Sequence, residues 1–293
     1  MEQLYDKKVD GIIIRSRTRW YEHGEKNFKY FFNLEKRNHI RKHIRKLWLT
    51  GVITVDPFEI LEGEKKFYEN LYKSRRNCPD ENELYFRFED LPIQTQEARS
   101  FGEGPISLAK CSKIINSFPF NKAPGNNGLP IEFCKTFLNF LGEPLIECFN
   151  TSFVKGEMSP IQRQAVITLI EKKDQDRCDL QNWRPISLLN VDTKIASKVI
   201  AERMKSLLPK LIHYNQSGYI PGRNISENIR SILDRMDYTK IKNLPGILPF
   251  IDFGKAFDSL EWTFLEKCLN QFGFGPEFKG WVNISIKIFK AVL

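Results

Sequence analysis

The sequence lacks most of the short signals that assign a chain to a class, and each absence removes an option. No run of about eighteen or more apolar residues occurs, so no segment reads as a membrane-crossing helix, and the opening MEQLYDKKVD has no apolar core of the kind a signal peptide needs. Six cysteines (Cys78, Cys111, Cys134, Cys148, Cys178, Cys268) are scattered without a C-x-x-C pair, which argues against a disulfide framework and a zinc finger. Neither G-x-x-x-x-G-K-[ST] nor G-x-G-x-x-G is present, so the standard phosphate-cradling fingerprints are missing. The expectation is an intracellular protein, in the cytoplasm and/or nucleus, with reduced thiols and no membrane partner.

What is there is globular and basic. At 293 residues, 41% hydrophobic and 28% charged, the chain is long enough for one large domain or two ordinary ones with a substantial core. The net charge of +9 is concentrated: between Arg15 and Lys46 eleven Lys/Arg face three Glu, a local excess of +8. Trp20, Tyr21, Phe28, Tyr30, Phe31, Phe32 and Trp48 interleave with those cations. Charge with rings suits a nucleic acid, which offers phosphates and stacking faces. An amphipathic helix with aromatics inward and solvated Lys/Arg is the plainer alternative.

Periodicity divides the chain into 1–73, a basic extension of helices and a short hairpin; 74–105, a charged connector; 106–245, mostly helical with a second hairpin; and 246–293. Residues 2–38 read as helix broken near Gly24, IRKLWLTGVITVD as a hairpin turning at Thr50-Gly51, and EILEGEKKFYENLY as an amphipathic helix started by Asp56-Pro57. SLAKCSKIINSF is helical, and IEFCKTFLNFLGEPLIECFNTSF is a helix that Pro144 should kink or split. AVITLIEKK and RPISLL pair as strands around a long polar tip. NVDTKIASKVIAERMKSLLPKLI returns to helix with Ile195, Val199, Ile200, Met204 and Leu207 on one face. SENIRSILDRMDY is helical and GILPFID is a short strand ending on Asp252. WTFLEKCLNQF and FKGWVNISIKIF are helical or mixed.

Three constellations carry chemistry. A carboxylate at the end of a strand, Asp252, suits a magnesium ion, which takes hard oxygen ligands and leaves positions open for phosphate; it also suits the capping of a turn, as Asp258 suits a helix cap. Lys172 and Lys173 end one strand of the second hairpin and Arg184 begins the other, where cations from two strands can hold a triphosphate, although ordinary hairpins also end in such residues. The loops NKAPGNNG (121–128) and GYIPGRN (218–224) place Lys122 and Arg223 where they could touch phosphates; plain turns are the alternative.

In order, GEKNFKYFFNLEKRN, NKAPGNNGLPIEFCKTF, AVITLIEKK, NWRPISLLNVDTKIASKVIAERM, QSGYIPGRNISENIR and FIDFGKAFDSLEW resemble the reverse transcriptase of LINE-type (non-long-terminal-repeat) retrotransposons, from about Gly11 onward. The resemblance implies an α+β, helix-rich right-hand polymerase fold, fingers with the beginning of the palm sheet, copying an RNA template from a DNA primer with deoxynucleoside triphosphates and two Mg2+ ions. It makes FIDFGKAFDS the first palm motif, with Asp252 a metal-binding carboxylate, the Phe253 carbonyl a further ligand and neighbour of the nucleotide, and Phe257 the bulky gate against a ribose 2′-hydroxyl. Asp258 matches a recurrent acid of more structural than catalytic role. Arg184 matches the triphosphate-binding arginine, assisted by Lys172. Lys122, Gly222 and Arg223 fall near template and primer, and the basic extension with Arg37 and Arg41 where template RNA is gripped. The family often has Pro where this chain has Glu171, and Asp where it has Asn127.

The next motifs of that family are a Gln-Gly loop and a hairpin bearing two adjacent acids, and the chain has neither a Q-G nor an Asp-Asp dipeptide. The expectation is therefore a portion comprising extension, fingers and first palm strand, inactive alone, with an unpaired sheet edge at GILPFID and an apolar tail, IKIFKAVL, without packing partners. A non-catalytic nucleic-acid-binding protein derived from such an element, or a pseudogene product, are the alternatives.

Overall fold

The computed structural model describes residues 44–49, 51–73 and 91–290, the last four by backbone alone. The helices expected over 2–38, with Arg37 and Arg41, and the first part of the 74–105 connector lie outside the described residues. The chain divides into two compact units, Met1–Asn70 with Ile167–Ile186, and Leu71–Val166 with Ser187–Leu293. No helix among the described residues is long and apolar enough to cross a membrane.

In the first unit, strands β1 (Leu47–Leu49) and β2 (Val52–Thr54) pair antiparallel with Leu47 opposite Thr54 and Leu49 opposite Val52, as the hairpin reading required. Gly51, at φ +87, supplies the left-handed residue of the turn. Helix α1 (Pro57–Tyr72) starts where Asp56-Pro57 predicted it. The Asp56 carboxylate accepts from the N–H of Phe58 at 2.7 Å and of Glu59 at 3.3 Å, and Pro57 occupies a position with no bond to lose. Strands β3 (Ala165–Glu171) and β4 (Trp183–Leu189) pair with each other. Leu47, Ile60, Leu180 and Trp183 are buried together, so the tip end of the second hairpin and the first hairpin share one small core.

The second unit is helical: α2 (Gln96–Gly102), α3 (Leu108–Ser117), α4 (Ile131–Thr136), α5 (Leu138–Lys155), α6 (Val191–Leu211), α7 (Ile225–Ile241), α8 (Trp262–Gln271) and α9 (Pro276–Lys290). With the two small sheets this is the expected helix-rich α+β class. Helix α6 packs against α2, α3 and α9; of the expected face Ile195, Val199, Ile200 and Leu207 are buried and Met204 is partly buried against the same core, with Arg203 beside them where no charge was expected. Phe149, Phe278 and Trp281 fill the centre, Trp281 stacked on Phe153 at 4.6 Å.

Arg203 is 3% exposed and replaces a helix cap with a clamp. Its guanidinium donates to the carbonyls of Gly102 at 3.2 Å, Gly104 at 2.7 Å and Pro105 at 2.7 Å, where α2 ends. From the same turn, Glu103 accepts from the N–H groups of Glu277 and Phe278 and so caps α9, while Glu277 accepts from Gly104 N–H. The end of the 74–105 segment is thus an ordered helix and turn fastened to the core, where the sequence showed only charge, Gly and Pro.

Three other expectations change. The break in the 131–153 helix falls at Phe137 (φ −102, ψ 18), and Pro144 sits inside α5. The bond Pro144 forgoes is to the carbonyl of Phe140, a residue 79% exposed, so the loss falls on the solvent side of the helix. GILPFID forms no strand: residues 244–253 are irregular, with Ile247, Phe250 and Ile251 at least 80% exposed. Alternating apolar residues make a strand only when a neighbour takes their backbone groups, and none of the described residues does so here. At the IKIFKAVL tail the first residue, Ile286, is buried in α9, and the side chains that follow it lie outside the described residues.

Replacing Arg203 by Met leaves three carbonyls without their donor, at a cost of about 2–4 kcal/mol for a lost charge-assisted network. Thermal denaturation should show a clear fall in Tm, only partly recovered by Arg203→Lys, which keeps the charge and loses the fork. An unchanged Tm would remove the clamp from the account.

Candidate functional site

Asp252 lies in the irregular segment, exposed, with Phe253 beside it 76% exposed. Its carboxylate has neither hydrogen bond nor ion pair among the described residues, and no group of three His, Cys, Asp or Glu able to hold a metal occurs among them. Asp258 does not complete a pair: its Oδ1 accepts from the Tyr72 hydroxyl at 3.3 Å. Burial raises the Asp258 pKa, against the opposing pull of Tyr72 and Lys255, and burial with the Asp258 charge pushes the Tyr72 phenol up to about 12. One unsupported carboxylate does not hold a magnesium ion, let alone two, so these residues alone do not make a metal centre.

Phe257 is 81% exposed and so takes no part in the core. Its ring meets Tyr219 edge-on, with centroids 6.1 Å apart. Tyr219 belongs to the 218–224 loop, takes φ +62 and is 87% exposed. Two distant motifs, GYIPGRN and FIDFGKAFDS, therefore meet through these rings. Gly222, at φ +78, forms the open tip, where a side chain would find no other atom within 4 Å of its Cβ. Arg223 turns inward: it donates to the carbonyls of Pro209, Ile212, His213 and Gln216 at 2.6–3.0 Å, closing the C-terminal end of α6. In this arrangement it shapes the loop and its fork is already occupied.

The 121–128 loop is held by Asn190, which is fully buried. Asn190 Oδ1 accepts from Asn127 N–H at 3.1 Å, and its Nδ2 donates to the Ile161 carbonyl at 2.8 Å. Lys194 Nζ donates to the Ala123 carbonyl at 3.3 Å, and burial lowers its pKa. Asn127 Oδ1 accepts from Leu129 N–H at 3.1 Å, a bond the family's Asp would also accept, so the exchange leaves this turn intact. Lys122 stays exposed on the loop.

In the other unit, the tip of the β3–β4 hairpin is closed by Lys172 N–H to the Asn182 carbonyl at 2.8 Å. Lys173 and Arg184 are exposed and Lys172 is half-buried; none enters an ion pair among the described residues. Glu171 is neutralised locally by Arg177 at 2.8 Å, and Arg177 also lies 5.5 Å from the Trp183 ring. The negative charge is thereby taken up within the hairpin, and Lys172, Lys173 and Arg184 stay outside any ion pair among the described residues. Arg177 and Asn190 went unnoticed in the sequence; the only signal for Asn190 was its place at the start of α6, and its side chain does not cap that helix.

A Cβ on Gly125 would stand 2.3–2.6 Å from Asn190 Oδ1, N and Cα. Gly125→Ala should therefore shift loop or helix and cost about 1–3 kcal/mol, as overpacking does, read as a lower denaturant midpoint; Gly254→Ala, with open space around it, serves as the comparison.

Residues 170–291 match the family described as reverse transcriptase (RNA-dependent DNA polymerase). Over 284 residues, 97% of the chain, it is 33% identical to the "Transposon TX1 uncharacterized 149 kDa protein" of Xenopus laevis and covers 22% of that protein. It is 26% identical over 144 residues, 48% of the chain, to the "Putative 115 kDa protein in type-1 retrotransposable element R1DM" of Drosophila melanogaster, covering 14% of it. It is 25% identical over 176 residues, 57% of the chain, to the "Probable RNA-directed DNA polymerase from transposon BS" of Drosophila melanogaster, covering 18% of it. The chain thus spans between 14% and 22% of the length of these relatives. The ordered motifs, the matched family and the transposon proteins agree: residues 170–291 match a reverse transcriptase, and the chain is similar to the reverse transcriptases of LINE-type retrotransposons.

Proposed function

We propose that these residues are the template- and nucleotide-handling part of an RNA-directed DNA polymerase, and that by themselves they bind nucleic acid without extending a primer. The observation that carries the reading is the meeting of two matched motifs at the exposed Phe257–Tyr219 pair, beside the freely accessible Asp252. Arg184 and Lys172 hold the triphosphate of a deoxynucleotide, the first with a forked donor set and the second as a point charge. Phe257, backed by Tyr219, presents bulk where a ribose 2′-hydroxyl would stand. Lys122 and the tip at Gly222 lie along RNA template and DNA primer, Arg223 acts by holding that tip, and Arg37 and Arg41 add phosphate contacts.

The implied cofactor is Mg2+, for which Asp252 and the Phe253 carbonyl are the oxygen ligands these residues bring; it would activate the primer hydroxyl and neutralise the departing pyrophosphate. Further carboxylates have to join Asp252 before two such ions are held. The test is extension of a DNA primer on an RNA template, with Mg2+, by the purified 293-residue chain. No product is expected. Product that disappears with Asp252→Ala would contradict the inactivity.

A further inference from the structure

A cleft of about 460 Å³ opens between α3 and α6 with Phe101 of α2 on its wall. It is lined by Lys110 and Lys113 of α3 and by Lys198 and Arg203 of α6, none of which has a role in the polymerase reading above. Ile114 and Val199 form its buried apolar floor. Lys110 and Lys113 are exposed, one helical turn apart on the same face, and no ion pair engages Lys110, Lys113 or Lys198 among the described residues. Glu202 also lines the cleft, and Lys205 pairs with it at 3.3 Å.

Rings accompany the cations. Lys110 Nζ lies 5.6 Å from the centroid of Phe101, which is 56% exposed. Lys198 Nζ lies 4.3 Å from that of Phe118 and donates to Ser117 Oγ at 2.8 Å. Arg203, 3% exposed, spends its terminal nitrogens on carbonyls and adds its positive charge behind the wall of the cleft.

We propose that the α3–α6 cleft is a second nucleic-acid site, taking the phosphates of a single strand on Lys110, Lys113 and Lys198 while a base stacks on Phe101. The choice of a nucleic acid over another polyanion rests on the polymerase reading above; the cleft itself rests on its own cations and rings. Ammonium groups beside an exposed ring are what an unpaired strand uses, phosphates for affinity and a π-face for the base. RNA and DNA share that chemistry, and the strand that fills the cleft is decided by measurement.

The test uses the 293-residue chain with fluorescent single-stranded RNA or DNA of about 20 nucleotides, titrated across a salt series. Neutralising two contacts in Lys110→Gln/Lys113→Gln should flatten the slope of log affinity against log salt by about 1.4 and weaken binding roughly tenfold or more near 0.1 M salt. Lys65→Gln/Lys66→Gln, on the exposed face of α1, removes the same charge and should change little. Acetylation of Lys110 and Lys113, followed by mass spectrometry, should be suppressed by whichever strand occupies the cleft and not by polyglutamate. Oligonucleotide binding with an unaltered slope and unprotected lysines would overturn the cleft and leave the polymerase reading standing. Equal protection by polyglutamate would assign the cleft to an acidic protein segment instead. Failure to bind either strand at all would sink both.

Discussion

The amide of Asn190 is fully buried, and the two groups it bonds lie on separate stretches of chain. Through Oδ1 it fixes Asn127, through Nδ2 it fixes Ile161, and its backbone leaves room only for the hydrogen of Gly125. Thr193, one turn on, donates to the Gln162 carbonyl at 2.8 Å in the same buried region. The start of α6 is therefore the point against which the 121–128 loop and the segment leading into β3 are set. A buried amide with both ends satisfied specifies one arrangement, because any slip leaves a polar group dry and unpaired. The position of Lys122 on its loop follows from that requirement.

From α6 outward, the cations separate into those used by the fold and those left over. Arg203 clamps the end of α2, Arg223 closes the end of α6, Lys194 holds the Ala123 carbonyl and Lys135 holds that of Phe118 at 2.6 Å. Each neutralises backbone dipoles inside the structure. Lys122, Lys172, Lys173 and Arg184, with Lys110 and Lys113 in the cleft, enter no ion pair among the described residues. These left-over charges are what a polyanion meets, and their attraction is a matter of rate and affinity more than of fold.

Elements with a local cause were legible in the sequence. Asp56-Pro57 started α1, Gly51 turned the first hairpin, and the spacing of Ile195, Val199, Ile200 and Leu207 gave the buried side of α6. The contacts that decide roles were not, because they join residues far apart: 63 positions for Asn127 and Asn190, 98 to 101 for Arg203 and its carbonyls. Arg223 looked like a phosphate contact because a turn with Gly and Arg suggests one, and only its four carbonyl partners reveal where the guanidinium is spent. Asp252 and Phe257 were recognisable by motif, yet the strand assigned to GILPFID needed a neighbour that periodicity cannot supply. The aromatic contact between Tyr219 and Phe257 lay beyond any local pattern, although each residue stood in a motif already singled out.

The central claim is that the left-over cations of each unit hold a primed template through its phosphates. It is tested most directly by fluorescence anisotropy of an RNA template annealed to a DNA primer, titrated with the 293-residue chain over a range of salt. The account predicts log affinity falling linearly with log salt, steeper than about −2 for three or more phosphate contacts, and unchanged in Asp252→Ala. Absence of binding, or an affinity indifferent to salt, would contradict it.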